Sequence, residues 1–423
     1  MLKSRFFFSQ FILGFIGVFI LLNNYSSLIL NGIYLTLICF NFYLNRGKLF
    51  SIISFYTILF LTALIPILLV NLNIITDVVV PNSTRIFVLQ EHYYSLAMDI
   101  LIFSTFIMSS YLNLSIGFKA SLIKGKNKFK AIYYEISILF FSYIINKDSS
   151  NILYDSYKGD GYVDGENFGG WAIFFIIFFS YYIYMTNLES KRNLYFSYFI
   201  IFYWFLFGNR GEIFPIVFFV LFISYSKKKK LKLFNFTRYL YALFLISIFF
   251  LIGIFRSGNF SYSGNLLLTL LSNFTGGPIS YSFMSILYQT EKYGFSNGAT
   301  FLDYLYRTLP SFITPNRPGD VSMFLVEEYS TGGGNLLIGE PYLNFGILGV
   351  FVFLHLFLSF FVWIEKMANK FNEYNYIFIL IIFLGTRTVL YGFITFYKLT
   401  ILFIIIIFFR ILFNKGIFNL TRT

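Results

Sequence analysis

The sequence predicts an all-α polytopic membrane protein of about twelve transmembrane helices, and three observations carry that prediction. Of the 423 residues, 57% are hydrophobic and 12% charged, with a mean hydropathy of +0.72. A soluble domain of this size does not carry so little charge. Apolar runs of about 20 residues recur along the chain, the length that crosses a hydrocarbon core as helix. The basic residues gather in alternate connections between those runs, as the positive-inside bias requires.

Spans are predicted over 6–22, 28–44, 49–70, 94–118, 131–146, 169–187, 194–207, 213–226, 237–255, 346–364, 374–391 and 396–413. The first lacks a small-residue cleavage site and is followed at once by a second span, so it is read as a retained helix. The second contains Cys39, the sole cysteine, which rules out an intramolecular disulfide and a thiolate metal site. Two histidines, His92 and His355, leave little for a zinc centre. Basic or mixed connections separate the second and third spans (45–48), the fourth and fifth (119–130), the sixth and seventh (189–192), the eighth and ninth (227–230) and the tenth and eleventh (365–370). With these loops and both termini on the cytoplasmic side, 22 of the 32 lysines and arginines lie inside. About 14 of the 19 acids then lie outside, among them Asp148, Asp155, Asp160, Asp164 and Glu166. The net charge of +13 therefore reflects inner loops that orient the chain and meet anionic lipid, and no nucleic-acid partner is expected.

Residues 1–423 read as a single integral domain without internal repeats. Within it, 256–345 forms a large extracytoplasmic loop. Two apolar half-lengths, 266–271 and 279–288, flank Gly276-Gly277-Pro278 there, a pattern suited to a re-entrant or interfacial helix pair or else to one kinked span. Prolines 310, 315 and 318 order a turn, Gly332-Gly333-Gly334 follows, and Ile338-Gly339-Glu340-Pro341 leads into the tenth span.

Arginines sit on the outward side, where the positive-inside bias works against them. Arg210, in Gly208-Asn209-Arg210-Gly211-Glu212, stands beside a helix N-terminus whose free N–H groups favour phosphate; its alternative is a cap paired with Glu212. Arg256 emerges at the end of the ninth span, as a phosphate ligand or a snorkelling anchor. Arg387 lies within the outer third of an apolar helix, the depth at which an ionisable group faces a bundle interior or a water-filled cavity; Glu135 or Asp99 are its alternative structural partners. Arg307 and Arg317 flank the proline turn. Glu340 opens the tenth helix, as a general base or as a complement to the helix dipole, and Asp320, Glu327 and Glu328 are its rivals. His355 is either a satisfied buried histidine or a catalytic group. Since no phosphate-loop pattern or nucleotide-sugar domain is present, a substrate must arrive already activated, as a lipid pyrophosphate does.

In layout the chain resembles the Wzy family of oligosaccharide repeat-unit (O-antigen or capsule) polymerases. The pieces that carry the resemblance are Gly208-Asn209-Arg210-Gly211-Glu212 and the stretch from Arg307 through the glycine run to Gly346. The resemblance implies a C-type glycosyltransferase-like fold in the bacterial cytoplasmic membrane, both termini inside. It implies transfer of a growing glycan from undecaprenyl pyrophosphate to a sugar hydroxyl on a new lipid-linked repeat unit, without a cofactor or metal. In that reading Glu340 and Arg210 are catalytic, and Arg210, Arg256, Arg307, Arg317 and Arg387 bind pyrophosphate or glycan. A chain-length-determining co-polymerase is the expected protein partner. Some members carry an arginine followed by ten residues and a glycine; here the residue at that place is Leu221 after Arg210 and Pro318 after Arg307, so the basic outer site is carried over and the motif is not. An O-antigen ligase is the nearest alternative, but 256–345 contain no histidine to serve it. A flippase or exporter would be expected to show two similar halves and short outer loops.

Overall fold

The computed structural model describes residues 2–23, 28–48, 51–74, 91–117, 131–146, 165–186, 188, 190–206, 215–217, 219–220, 276–308, 321–329, 334–390 and 392. Among these residues the chain is helical and contains no strand. The helices are α1 (Leu2–Leu22), α2 (Leu28–Leu44), α3 (Ile52–Asn71), α4 (Glu91–Ser110), α5 (Ala131–Asn146), α6 (Gly165–Thr186) and α7 (Lys191–Leu206). After them come α8 (Gly276–Tyr293), α9 (Ala299–Thr308), α10 (Val321–Tyr329), α11 (Gly339–Lys370), α12 (Asn372–Phe383) and α13 (Gly385–Leu390). Ile52–Asn71, His92–Asn113 and Gly339–Lys370 are long and apolar enough to cross a membrane, and shorter apolar helices accompany them.

Among the described residues, large apolar side chains are exposed as well as buried. On α5, Ile132, Tyr133, Ile136, Leu139, Phe140 and Tyr143 are all exposed, while Ile138 on the opposite side is fully buried. Phe8, Phe15 and Phe19 of α1 are likewise exposed. A helix apolar on every side is at ease only where its outer face meets lipid, so the protein is membrane-embedded.

Inside, polar side chains join the helices. Gln10 of α1 donates from Nε2 to Asn41 Oδ1 of α2 at 3.0 Å, Asn113 beyond α4 donates to the same oxygen at 3.0 Å, and Asn45 donates to Asn113 Oδ1 at 2.9 Å. A second group is tied by Glu135 of α5, which accepts from Tyr182 Oη of α6 at 3.2 Å and pairs with Arg192 of α7. Trp204 of α7 donates to Ser142 of α5 at 2.8 Å and stacks on Phe175 of α6. In an apolar solvent such bonds select partners that burial alone cannot, because lipid is as apolar as leucine. Ring contacts Tyr181–Tyr376 and Phe179–Phe383 dock α12 on α6 and so link the second group to the first.

Arg46 and Lys48 after α2, Arg192 at the start of α7, and Lys366 and Lys370 at the end of α11 collect at one end of the bundle. There Glu365 of α11, wholly buried, accepts from the Ile52 amide at 2.8 Å, Ser115 Oγ at 2.6 Å and the Ile116 amide at 3.2 Å. The other end holds the C-terminus of α3 and the N-terminus of α4, joined by Asn71 Nδ2 to the Tyr94 carbonyl at 3.2 Å.

The runs at 28–44 and 131–146 are helical over those same residues. Elsewhere the helices depart from the expected spans. The tenth begins at Gly339 rather than 346 and runs on through Glu365 to Lys370, bending where Phe345 and Gly346 leave helical geometry (Gly346 φ 62°, ψ −150°). The eleventh breaks at Leu384 into α12 and α13. Gly276-Gly277-Pro278 forms the first turn of α8, where the missing N–H of Pro278 costs nothing. Residues 237–255, 266–271 and 396–413 lie outside the described residues, as does most of 213–226.

Candidate functional site

Four helices assemble the end opposite the lysines. Ser280 of α8 donates to the Ala63 carbonyl of α3 at 2.6 Å, and Tyr288 of α8 meets Tyr93 of α4 edge-on. With Gly276 roughly 6 Å before Ser280 along the axis, α8 begins within the depth of the bundle and emerges beyond the end of α3. Residues 279–287 are buried, and the chain turns out to solvent at Glu291, Lys292 and Tyr293.

Against α8 lies the opening of α11. The residues before it, 334–338, are extended or turn in form and buried, which an apolar setting permits only when their backbone groups are answered. Two of them are answered by the neighbouring segment: the Asn335 amide donates to the Leu390 carbonyl at 3.1 Å and the Leu337 amide to the Val389 carbonyl at 2.8 Å. These two bonds bring the strap that leads to Glu340 against α13, which carries Arg387. Gly392, with φ 92°, lets the chain pass Asn335 closely, since a Cβ there would meet the Asn335 carbonyl at 2.9 Å.

Glu340 is completely buried, in the first turn of α11. Arg387 is half-buried, on the short helix α13. Glu135 pairs with Arg192, and Asp99 accepts from Asn31 Nδ2 at 2.6 Å. Arg307 occupies the last turn of α9, with its side chain outside the described residues, as are Arg210, Arg256 and Arg317 altogether. Glu328 is exposed on α10, while Asp320 and the Glu327 side chain lie outside the description. His355 belongs to the packing. Its Nδ1 is 2.8 Å from Tyr111 Oη, and Phe11 and Phe351 flank the ring.

Two asparagines that sequence reasoning passed over shape this region. Asn344, fully buried, donates from Nδ2 to the Glu340 carbonyl at 2.9 Å and to Thr300 Oγ1 at 2.6 Å, and accepts from the Gly298 amide at 2.8 Å. It fixes the turn bearing Glu340 to the loop between α8 and α9, together with the Ser296 amide on the Leu343 carbonyl at 2.9 Å. Asn335 is buried with neither side-chain polar atom hydrogen-bonded, and its Oδ1 lies so close over Gly339 that a Cβ there would meet it at 2.2 Å. The signal for Asn335 was its place after a glycine run and for Asn344 its place two residues before Gly346, and both are too common to be read.

A buried carboxylate can take up a proton and a half-buried guanidinium can hold an anion, and the strap joins the segments that carry them. Among the described residues, no group of three or more His, Cys, Asp or Glu side chains is placed to hold a metal ion. The sequence matches no family model, no curated protein and no solved structure.

Proposed function

We propose that the chain is a membrane glycosyltransferase that polymerises undecaprenyl-pyrophosphate-linked oligosaccharide repeat units on the outer face of the bacterial cytoplasmic membrane. In this reading the chain crosses the bilayer about twelve times with the lysine-rich end in the cytoplasm. The observation that carries it is the junction of the Glu340 and Arg387 segments, at a distance from the lysine-rich end. A buried acid and a basic group beside non-helical backbone are costly in a bilayer and are kept where a substrate needs them.

The reaction this supports is a single displacement. The acceptor hydroxyl oxygen attacks the anomeric carbon, the bond from that carbon to the pyrophosphate oxygen breaks, and Glu340 receives the hydroxyl proton. Arg387, with Arg210 and Arg256, neutralises the charge that develops on the departing lipid pyrophosphate. Arg307 and Arg317 orient the glycan or the acceptor phosphate. Inversion at the anomeric carbon follows from one displacement.

Purified protein in detergent, given synthetic lipid-pyrophosphate repeat units, is expected to produce a ladder spaced by one repeat. Glu340→Gln and Arg387→Ala should each lower the rate by about 10²–10³, the scale for losing one preorganised group. A bond formed only after a lipid A core acceptor is added assigns a ligase instead. Transport across a proteoliposome without any new bond rejects the enzyme altogether.

A further inference from the structure

Beside the Glu340 turn, α8, α9, α10 and α11 enclose a cleft of about 230 Å³ lined by Gln289, Ser296, Thr300, Asp303, Tyr304, Val321, Phe324 and Leu343. That is below the roughly 300–1,000 Å³ of sites for drug-sized molecules and suits a single ring. Its chemistry is mixed in a particular way. Asp303 offers a carboxylate that can only accept. Thr300 Oγ1 accepts from Asn344 and carries a hydroxyl proton of its own. Gln289 Oε1 accepts from the Tyr329 hydroxyl, which turns its amide NH₂ to other partners. Burial, with the Glu328 charge behind it, pushes the Tyr329 phenol up to about 12, so this donor stays protonated at any physiological pH.

Acceptor and donors side by side match a ligand whose groups both donate and accept, which hydroxyls do and phosphates do not. Among the described residues of the lining Asp303 is the one charged group, and a carboxylate disfavours an anion beside it. The opposite wall is apolar, from Val321, Leu343 and the partly exposed ring of Phe324. A carbon face with a hydroxyl edge is what such a cleft accommodates.

We infer that this cleft binds one neutral sugar ring of the glycan substrate, its hydroxyls on Asp303, Gln289 and Thr300 and its C–H face on Phe324. Asn344 couples the cleft to the reaction centre, since its Nδ2 donates both to Thr300 and to the Glu340 carbonyl. Leu343 stands one helical turn from Glu340, so a ring in the cleft lies beside the residue assigned as base. The inference rests on the polymerase reading for its choice of glycan but on the cleft alone for its binding chemistry.

The test is saturation-transfer NMR on the full-length protein in detergent, with methyl glycosides of glucose, galactose, mannose, rhamnose and N-acetylglucosamine as probes and inorganic pyrophosphate as the contrasting ligand. At least one glycoside should bind, and Asp303→Asn and Phe324→Ala should each weaken it about tenfold or more while leaving pyrophosphate binding unchanged. Phe324 is partly exposed, so its truncation leaves the core intact, and an unchanged melting curve checks this. If no glycoside binds, or if binding survives both substitutions, the cleft is not a sugar site, even where polymer ladders form. Glycoside binding that both variants abolish, in a protein that makes no polymer, keeps the cleft and removes the polymerase.

Discussion

At the scale of single residues, Glu365 shows how a charge can serve packing. Read from the sequence it belongs to a basic connection, yet it is wholly buried and receives two backbone amides and a hydroxyl from two separate segments. Removing it leaves three donors without an acceptor in a place water does not reach, and each such donor costs about 1–3 kcal/mol. Glu365→Ala should therefore lose about 3 kcal/mol or more, and Glu365→Gln, which keeps one acceptor oxygen, distinctly less. Chemical unfolding in mixed micelles measures both; an alanine variant within about 0.5 kcal/mol of the parent would sink the argument. The carboxylate could not be recognised beforehand because its partners, Ile52, Ser115 and Ile116, are remote in sequence and two of them act through backbone atoms. Glu340 was legible by contrast, since a carboxylate between Gly339 and Pro341 at a helix start is conspicuous in the chain itself. Its fixing by Asn344 was not.

At the scale of elements, apolar run length located most of the helices, because in a bilayer a helix is the one open-ended form that answers its own backbone. Where the helices bend was not legible, because bending depends on contacts. The turn in α11 arises at Gly346, whose torsions (φ 62°, ψ −150°) belong to a region that only glycine enters cheaply. The bend sets 339–344 at an angle to the membrane-crossing part and carries Glu340 toward α8. A Cβ on Gly346 would stand 3.0 Å from the Phe295 ring, and one on Gly349 would stand 2.3 Å from the Pro341 carbonyl. Gly346→Ala should destabilise the protein by about 1–3 kcal/mol from torsion alone. Adding Phe295→Ala removes the contact but not the torsion, so the double variant should remain less stable than Phe295→Ala by itself. Equal stability of those two would mean that the ring contact, and not the backbone, opposes a side chain there. The glycine-proline run was legible as a conspicuous feature of the chain; the buried places that Ser280 and its neighbours find against α3 were not, because they depend on contacts.

At the scale of the whole molecule, the segregation of charge makes a claim that the helices alone do not. Lysines and arginines at 46, 48, 192, 366 and 370 share an end with the buried Glu365, and the Glu340–Arg387 junction lies away from it. In the proposed topology the lysine end faces the cytoplasm, the side that charge bias in the loops favours. The proposed mechanism needs the same orientation, because a lipid-linked pyrophosphate acceptor on the opposite leaflet could not reach Glu340. Cys39 is the sole cysteine, so Cys39→Ser gives a background in which one new thiol reports its own side. Lys366→Cys, at an exposed position on the lysine end, should react with an impermeant maleimide only after the cells are permeabilised. Tyr293→Cys, exposed where α8 emerges, should react in intact spheroplasts. The reverse pattern would move the Glu340 region to the cytoplasmic face, where nucleotide-activated donors are at hand and the need for a lipid pyrophosphate disappears. Labelling of both sites without permeabilisation would place both ends on one side of the membrane and undo the alternation of helices on which the reading depends.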